Sequence, residues 1–488
     1  MALDRISNLE IDITKKIFSY LSIKEAARTS VVSKNWRHKW TVLPCLVFDD
    51  ENGFSTEIII SDVLLYHSGS IDSFKLSSRK NLHDGYIEQW LQNLSINSIK
   101  EIIVKKRDRY SSSYRISSHL YSCRELTHLE LYNCSLKPPL KPPSTSKGFE
   151  MLKSLRIRRV IVTRDVLEEV ISHCPQLEKI SLCNLRGMEN LKIDAPNVQF
   201  LELRDGFDDV VLENTLDLVD VSINRKRGST DSSTLLKFFL NLPSIERLTL
   251  EDSFLECANG SLPEKLPDPI LALKFLSISI RLNNLEDIST AMCLLRSSPA
   301  LQELEISVNK DRNVADDTEE ATCNWLNNKQ NRAVTQLRVL KVTGFSCVKA
   351  ELDFIVFLLS SSPALQQLEI SFARKVVEAE NYSWLFDNQN NIGAFMQLRL
   401  VKVTRLSGNK AEVNFIRFVL YSTSPMLEKL TLQPAASAKA LWELFKMLGE
   451  FINRVSEPAD LEFLDPSIRG HESDNSSSSD SDDDTDWW

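Results

Sequence analysis

The residues able to do chemistry are scattered through this 488-residue sequence and form no catalytic motif. The seven histidines show no H-E-x-x-H or comparable spacing, and no G-x-S-x-G nucleophile elbow is present. No two of the 13 glycines lie within three residues of each other, whereas a phosphate-binding loop needs closely spaced glycines. The sequence therefore predicts no catalytic residue, no cofactor and no enzymatic activity of its own.

The nine cysteines predict neither a disulfide framework nor a metal site. Their number is odd and no pair has the C-x-x-C spacing, so we expect reduced, mostly buried thiols. The N-terminus has no apolar signal region, and the longest apolar runs fall far short of the roughly 20 residues that cross a membrane. We expect a protein of the cytoplasm and/or nucleus with no membrane partner.

The net charge of −9 is concentrated at the C-terminal end. Residues 471–488 carry seven acidic residues and no Lys or Arg, so the rest of the chain has a net charge of only −2 and nucleic acid is not an expected partner. This Ser/Asp-rich segment is predicted to be disordered. Three of its serines have Asp three residues later and are candidate phosphorylation sites for an acidophilic kinase: Ser477, Ser479 and Ser481.

A short repeated phrase, Leu-x-x-Leu-x-Leu, predicts the fold. Clear copies occupy residues 126–131, 177–182, 245–250, 301–306, 365–370 and 427–432, and weaker copies lie between them. Fourteen copies end at apolar residues spaced 20–36 positions apart: Leu76, Val104, Leu131, Ile157, Leu182, Leu203, Ile223, Leu250, Ile278, Ile306, Val342, Ile370, Val403 and Leu432. Most of these spacings fall in or near the range of leucine-rich repeats, in which each phrase is a short parallel strand.

Helical segments that end before proline precede many of these strands. They are predicted at residues 166–173, 233–242, 288–298, 354–362 and 415–424. The predicted fold is an α/β leucine-rich-repeat solenoid, a horseshoe with concave parallel strands and convex helices. Residues 325–355 are echoed by 384–416, which indicates a duplicated pair of repeats near the C-terminus. Loops are expected at 137–147, 257–269 and 309–320.

Repeat geometry also suggests an anion site on the exposed face of the strands. The middle position of each strand faces outward, as at Arg156, and residues that follow the strands share one edge, as at Lys105, Arg158 and Arg204. Together these cations could bind a phosphorylated segment of a target or a polyanionic cofactor. Glu130 and Glu202 lie among them, and solvated repeat edges are the simpler interpretation.

The first 49 residues do not follow the repeat. Ile13, Ile17 and Leu21 have helical spacing, Ser22 and Glu25 form a capping box before a second helix, and a third helix is predicted over 33–40. Three helices in about 40 residues make a core too small to be stable alone, which implies docking on a partner or on the solenoid.

Residues 4–50 closely resemble an F-box followed by the first strand of a leucine-rich-repeat domain, and 344–363 and 410–425 resemble the FBD segment of plant-type F-box/FBD/LRR-repeat proteins. By matching position, the residues implied to dock on a Skp-type adaptor are Leu9, Glu10, Ile13, Ile17, Leu21, Val31 and Trp36. The family usually has Leu-Pro where this chain has Leu9-Glu10. Proline there pre-organises the first helical turn, and Glu is electrostatically acceptable at a helix N-terminus.

The resemblance implies a substrate-recognition subunit of a Skp–cullin–F-box ubiquitin ligase, with the F-box on the adaptor and the solenoid on an unknown target protein. The alternative is a ligase-independent scaffold or ligand receptor with a vestigial F-box. The expected organisation is an F-box at 1–44, a leucine-rich-repeat solenoid at 45–323, duplicated FBD-like repeats at 324–434, a helical cap at 435–470 and the acidic tail at 471–488.

Overall fold

The computed structural model describes the greater part of the chain. The described residues are 11–18, 20–21, 23–31, 36–37, 39–50, 57–108, 113–138, 149–185, 187–188, 191–207, 210–225, 230–231, 238–239, 241–252, 258–259, 263–309, 334–374, 397–423, 427–435, 449 and 460–465. The chain divides into two compact units, 1–322 with 330–336, and 323–329 with 337–488.

Eight α-helices lie in the described residues. They are α1 (Ile11–Phe18), α2 (Ile23–Arg28), α3 (Glu57–Tyr66), α4 (Asp84–Ile96), α5 (Arg164–Ser172), α6 (Leu285–Ser297), α7 (Lys349–Ser361) and α8 (Lys410–Thr423). Short 3-10 helices occupy Thr29–Val31, Lys39–Val42 and Ser118–Ser122.

In the first unit, eleven strands form one parallel sheet among the described residues. In order across the sheet they are β1 (Cys45–Asp49), β2 (Ser73–Ser78), β3 (Glu101–Lys106), β5 (His128–Tyr132), β7 (Ser154–Arg158), β8 (Lys179–Cys183), β10 (Phe200–Arg204), β12 (Asp220–Arg225), β14 (Arg247–Asp252), β16 (Phe275–Ile280) and β17 (Glu303–Val308). Spatial order follows chain order because each repeat adds one strand beside the previous one.

Three separate two-stranded parallel sheets also belong to the first unit. They pair β4 (Tyr114–Ile116) with β6 (Cys134–Leu136), β9 (Leu191–Asp194) with β11 (Val210–Glu213), and β13 (Thr230–Asp231) with β15 (Ala258–Asn259). Strands of two to four residues carry too little alternation to be recognised from sequence.

The second unit has its own parallel strands. Their order is β18 (Val339–Phe345), β19 (Gln367–Phe372), β20 (Leu400–Leu406), β21 (Lys429–Pro434) and β22 (Asp460–Phe463). Helices α7 and α8 belong to the two duplicated repeats of this unit.

The strand register confirms the repeat pattern of the sequence. In the first unit the residues that end successive copies pair directly across the sheet: Leu76, Val104, Leu131, Ile157, Leu182, Leu203, Ile223, Leu250, Ile278 and Ile306. In the second unit Val342, Ile370, Val403 and Leu432 pair in the same way. All fourteen predicted copies are therefore parallel strands of an α/β repeat fold.

Burial follows the two-residue alternation of each strand. In β17 Leu304 and Ile306 are fully buried, while Glu303 and Glu305, which alternate with them, are only half-buried. Because successive side chains point to opposite faces, the apolar pair of every repeat enters the core and the residues on either side line an outward face.

A buried carboxylate begins both duplicated helices. Glu412 accepts hydrogen bonds from Ser407 Oγ at 2.8 Å and from the N–H groups of Ser407 and Gly408 at 2.9 and 2.8 Å. Glu351 accepts hydrogen bonds from the hydroxyl and from the N–H group of Ser346, both at 2.6 Å. Burial raises the pKa of Glu412, and these bonds satisfy N–H groups that lie before the helix. The carboxylate thus fixes how each strand turns into its helix.

Helices α5–α8 agree with the predicted segments, but each begins two to five residues earlier than its apolar pattern. For example, α7 begins at Lys349 where the prediction began at 354. Each first turn contains acidic residues, such as Glu351 in α7 and Glu412 in α8, which interrupt the apolar pattern and are favourable near a helix N-terminus. Helices α3 and α4 were not predicted, and residues 233–242 lie mostly outside the described residues.

Two further predictions need correction where the structure describes them. Of the predicted third helix at 33–40, Lys39 and Trp40 belong to the 3-10 helix Lys39–Val42, and residues 33–35 and 38 lie outside the described residues. Within the predicted helical cap, Asp460–Phe463 is a strand in which Leu461 pairs with Leu430 and Phe463 with Leu432. Apolar partners on a neighbouring strand, rather than local pattern, decide that conformation. The Ser/Asp tail lies outside the described residues.

Several strands end in a left-handed residue. Asn133, Arg159 and Asn184 have φ of 54° and donate their N–H groups to carbonyls of the next strand at 2.7–3.0 Å. Arg405 has φ 60° at the position where the preceding duplicated repeat has Gly344. Glycine and asparagine tolerate this conformation, whereas an arginine side chain is strained in it.

We predict that Arg405→Asn raises the free energy of unfolding by up to about 1 kcal/mol, because Asn adopts positive φ at lower cost. The converse change Asn184→Arg should lower the free energy of unfolding by a similar amount. Chemical denaturation followed by circular dichroism measures both, and equal stabilities in all three proteins would contradict this account of strain.

We predict that Leu368→Asp destabilises the second unit by several kcal/mol, because Leu368 is fully buried and an unpaired charge in an apolar core is costly. Gln366→Asp introduces the same charge two residues earlier at an exposed position and serves as the control. Thermal melting of both variants decides the matter: similar melting temperatures would mean that β19 is not packed as described.

Candidate functional site

The N-terminal helices form a small bundle around two aromatic rings. Phe18 at the end of α1 and Trp36 are both buried, with ring centroids 5.5 Å apart, and α2 adds the buried side chains of Ile23 and Ala26. The spacing of these residues places them on the inner faces of short helices. This core holds the bundle together.

The bundle exposes several apolar side chains. Ile13 and Ile17 lie one helical turn apart on α1 and are 48% and 37% exposed, and Tyr20 and Val31 are 79% and 89% exposed. Leu21 is half-buried. Exposed apolar residues grouped in this way typically mark a protein–protein interface.

The predicted adaptor-binding residues thus occupy different environments. Ile13, Ile17 and Val31 are accessible, whereas Trp36 is only 5% exposed and packs inside the bundle. Leu9 and Glu10 lie outside the described residues. Contact of these residues with an adaptor stays a prediction, and the burial of Trp36 assigns it to the bundle core. Tyr20 also belongs to the exposed apolar residues of the bundle.

Hydrogen bonds attach the bundle to the first repeat. The N–H of Ser68 donates to Thr41 O at 2.9 Å, the hydroxyls of the same two residues are 3.0 Å apart, and His67 Nε2 lies 2.8 Å from Leu43 O. Helix α2 also contacts β1. The bundle is therefore continuous with the first strands of the sheet.

The outward face of the sheet holds the four cations predicted to bind an anion. Register places Lys105, Tyr132, Arg158, Cys183 and Arg204 in one row across β3, β5, β7, β8 and β10. Arg156 lies on the same face, two residues before Arg158. The predicted residues therefore share a surface, although they alternate with uncharged side chains.

Neighbouring glutamates neutralise two of these cations. Lys105 Nζ lies 3.0 Å from Glu130 Oε1, and Arg204 Nε lies 2.8 Å from Glu202 Oε1. The Arg158 guanidinium instead lies 5.7 Å from the ring centroid of Tyr132, within cation–π range. Binding of an anion by the four predicted residues stays a prediction.

Several thiols of this unit are buried in apolar surroundings. Burial raises the pKa of Cys123, Cys134 and Cys174 to about 12, so these thiols are protonated at neutral pH. Burial also lowers the pKa of His128, which lies on the outward face of β5. Among the residues that the structure describes, no cluster of His, Cys, Asp or Glu could hold a metal ion, and no helix is long and apolar enough to cross a bilayer.

Comparison with known proteins gives two family matches. Residues 6–48 match the F-box domain, and residues 87–306 match the LRR repeats of FBD-associated F-box protein At5g56370. The F-box match covers the bundle and β1, and the repeat match runs from α4 to β17. The matched segments thus cover the bundle and most of the main sheet of the first unit.

Similar proteins come from Arabidopsis thaliana. The chain is 34% identical over 387 residues to F-box/FBD/LRR-repeat protein At1g13570, an alignment that covers 75% of this chain and 91% of that protein. It is 24% identical over 410 residues to probable FBD-associated F-box protein At1g32375, covering 76% and 93%. It is also 24% identical over 326 residues to putative F-box protein At1g49610, covering 62% and 84%.

We predict that Trp36→Ala destabilises the bundle by about 3–5 kcal/mol, because it removes a buried ring packed on Phe18. Tyr20→Ala, an aromatic truncation at an exposed position, should change stability by less than about 0.5 kcal/mol. Hydrogen exchange of the backbone amides in 11–31 measures the local effect, with the amides of β17 as an internal reference. Equal protection of the bundle in both variants would place Trp36 outside its core.

Proposed function

Because this chain belongs to the F-box/FBD/LRR-repeat protein family, we propose that it is the substrate-recognition subunit of a Skp–cullin–F-box ubiquitin ligase. F-box domains generally bind Skp-type adaptors. In this proposal the bundle binds the adaptor, the adaptor binds a cullin, and the repeats bind the protein to be ubiquitinated. Ubiquitin transfer belongs to the other subunits, so the chain acts as a non-catalytic receptor.

The observation that carries the proposal is that the F-box bundle has both buried aromatic residues and exposed apolar residues. Phe18 and Trp36 pack against each other inside the bundle, while the side chains of Ile13 and Ile17 are exposed to solvent. Such exposed side chains cost solubility in an isolated protein and are favourable when a partner covers them. The apolar groups removed from water on binding would supply most of the affinity.

The repeats support the second half of the proposal, since they offer a large outward sheet face. Each repeat contributes outward side chains at positions set by the buried pair, so different residues can be presented on one rigid support. The attachment of the bundle through Thr41 and Ser68 would hold that face in a defined orientation to a bound adaptor. A fixed orientation favours ubiquitination of particular lysines of the target.

The second candidate function is a scaffold or ligand receptor that works without the ligase. Glu10 in place of the usual proline is the feature that favours it. The two functions differ in one measurable property, the affinity of the purified chain for a Skp-type adaptor.

We predict that Ile13→Ala combined with Ile17→Ala weakens adaptor binding by at least about 2 kcal/mol, roughly thirtyfold in Kd, because both side chains lie on the proposed contact face. Alanine has a higher helix propensity than isoleucine and both positions are exposed, so α1 should persist. Isothermal titration calorimetry with a purified adaptor measures the change.

The matched control is Leu216→Ala combined with Leu271→Ala, two residues that are 61% and 64% exposed and lie outside the F-box. This pair should leave the affinity for the adaptor unchanged. If the wild-type chain does not bind the adaptor, the ligase-independent function is favoured. If both double variants bind as tightly as wild type, the exposed face of α1 is not the contact surface.

A further inference from the structure

Strand β8 forms the floor of a shallow trough on the outward face of the sheet. Its outward side chains Ser181 and Cys183 are small and only 5% and 7% exposed. Larger side chains rise on both neighbouring strands, Arg156 and Arg158 on β7 and Glu202 with Arg204 on β10. These residues, with Lys179 at the start of β8, define the β8 trough.

The floor of the trough is polar and uncharged. Ser181 Oγ donates to Glu202 Oε2 at 2.6 Å and lies 3.8 Å from Cys183 Sγ. Burial raises the pKa of the Cys183 thiol, which stays protonated at neutral pH. The charged groups therefore belong to the walls and to the entrance.

Positive charge dominates those walls. Strands β7 and β8 contribute Arg156, Arg158 and Lys179 to the outward face and no acidic residue. Arg158 and Lys179 are exposed, and within the described part of the chain neither forms an ion pair. Of the two nearest glutamates, Glu130 is paired with Lys105, and Glu202 with Arg204.

The three cations follow one another along the strand direction. Lys179 is in register with Ser154, and Ser154, Arg156 and Arg158 are alternate residues of β7. Alternate residues of a strand are about 6.6 Å apart, which is also the spacing of alternate side chains in any extended peptide. An extended segment over β8 would bring every second side chain level with one cation.

We propose that the β8 trough binds an extended acidic segment of the target protein, with carboxylates on alternate residues facing Lys179, Arg156 and Arg158. The inference rests on the proposed function, because it names the kind of target segment that the repeats recognise. Arginine can hold each carboxylate through two parallel hydrogen bonds, and long-range attraction would speed the encounter.

This site differs from the anion site expected from sequence. Lys105 is two strands away from Arg158, about 10 Å across the sheet, and its ammonium is paired with Glu130. Lys179, which sequence reasoning passed over, lies at the entrance of the trough. The proposed trough therefore includes Lys179 and excludes Lys105, and mutagenesis can distinguish the two residues.

The test uses the full-length protein and a short fluorescent peptide with Asp at three alternate positions between serines. Fluorescence anisotropy at low salt should detect binding, and replacing the aspartates by Asn should abolish it, because the pairing is electrostatic. Arg158→Gln combined with Lys179→Gln should weaken binding at least about tenfold. Glu202→Gln should strengthen it, since it removes a negative charge from the wall and frees Arg204.

Lys105→Gln is the matched control, since it removes a cation from the same face outside the trough. The affinity of this variant for the Asp peptide should stay within about twofold of wild type. The proposal is overturned if the double variant binds like wild type, if Lys105→Gln loses as much affinity as the double variant, or if the Asn peptide binds equally well. A peptide with phosphoserines at the same positions that binds when the aspartate peptide does not would also overturn the choice of carboxylates.

Circular dichroism of each variant confirms that the repeats are folded. Adaptor affinity, measured separately, should be unchanged in all trough variants because the F-box is untouched. Peptide binding without adaptor binding would overturn only the ligase proposal, and adaptor binding without peptide binding would overturn only the trough.

Discussion

The structure depends on the burial of one pair of apolar residues in each repeat against the pairs of its neighbours. A pair such as Leu276 and Ile278 cannot be covered by its own repeat, so stability comes from parallel stacking with the strands on either side. Because the pairs must meet, the register of every strand is determined, and a slip of one residue would turn the apolar side chains to solvent.

The strand register also determines which outward side chains lie next to each other on adjacent strands. Ion pairs such as Lys75–Glu101 at 3.3 Å and Lys402–Glu369 at 3.5 Å join residues that the buried pairs bring close on adjacent strands. Each is partly exposed and stabilises the fold by little, on the order of 1 kcal/mol or less. Their importance lies in the charge pattern of the face, because a glutamate paired with one cation is less available to neutralise another. Among the described residues, Arg158 and Lys179 therefore have no carboxylate paired with them.

The F-box bundle is stabilised differently from the repeats, which pack against their neighbours. With few residues, it builds a small core around Phe18 and Trp36 and leaves apolar side chains such as Ile13 exposed. Its hydrogen bonds to Ser68 and His67 give it a support that so small a core lacks. Because the core is small, Ile13 and Ile17 are left exposed and accessible to a partner. The small core therefore accounts both for the low stability of the bundle by itself and for its proposed capacity to bind.

The sequence by itself determined the repeat fold, because the two-residue alternation around residues such as Leu250 and Leu432 is a local pattern that states which side chains are buried. It also showed the resemblance of residues 4–50 to an F-box, whose implied docking residues include Ile13, Ile17 and Trp36. Only the tertiary structure decided which residue of that set is core and which is surface, because helical spacing is the same for both. Likewise β22 became a strand through Leu430 and Leu432 on its neighbour, and Lys105 was neutralised by Glu130 on the next strand. These outcomes depend on contacts between residues 18 or more positions apart, which no local pattern encodes.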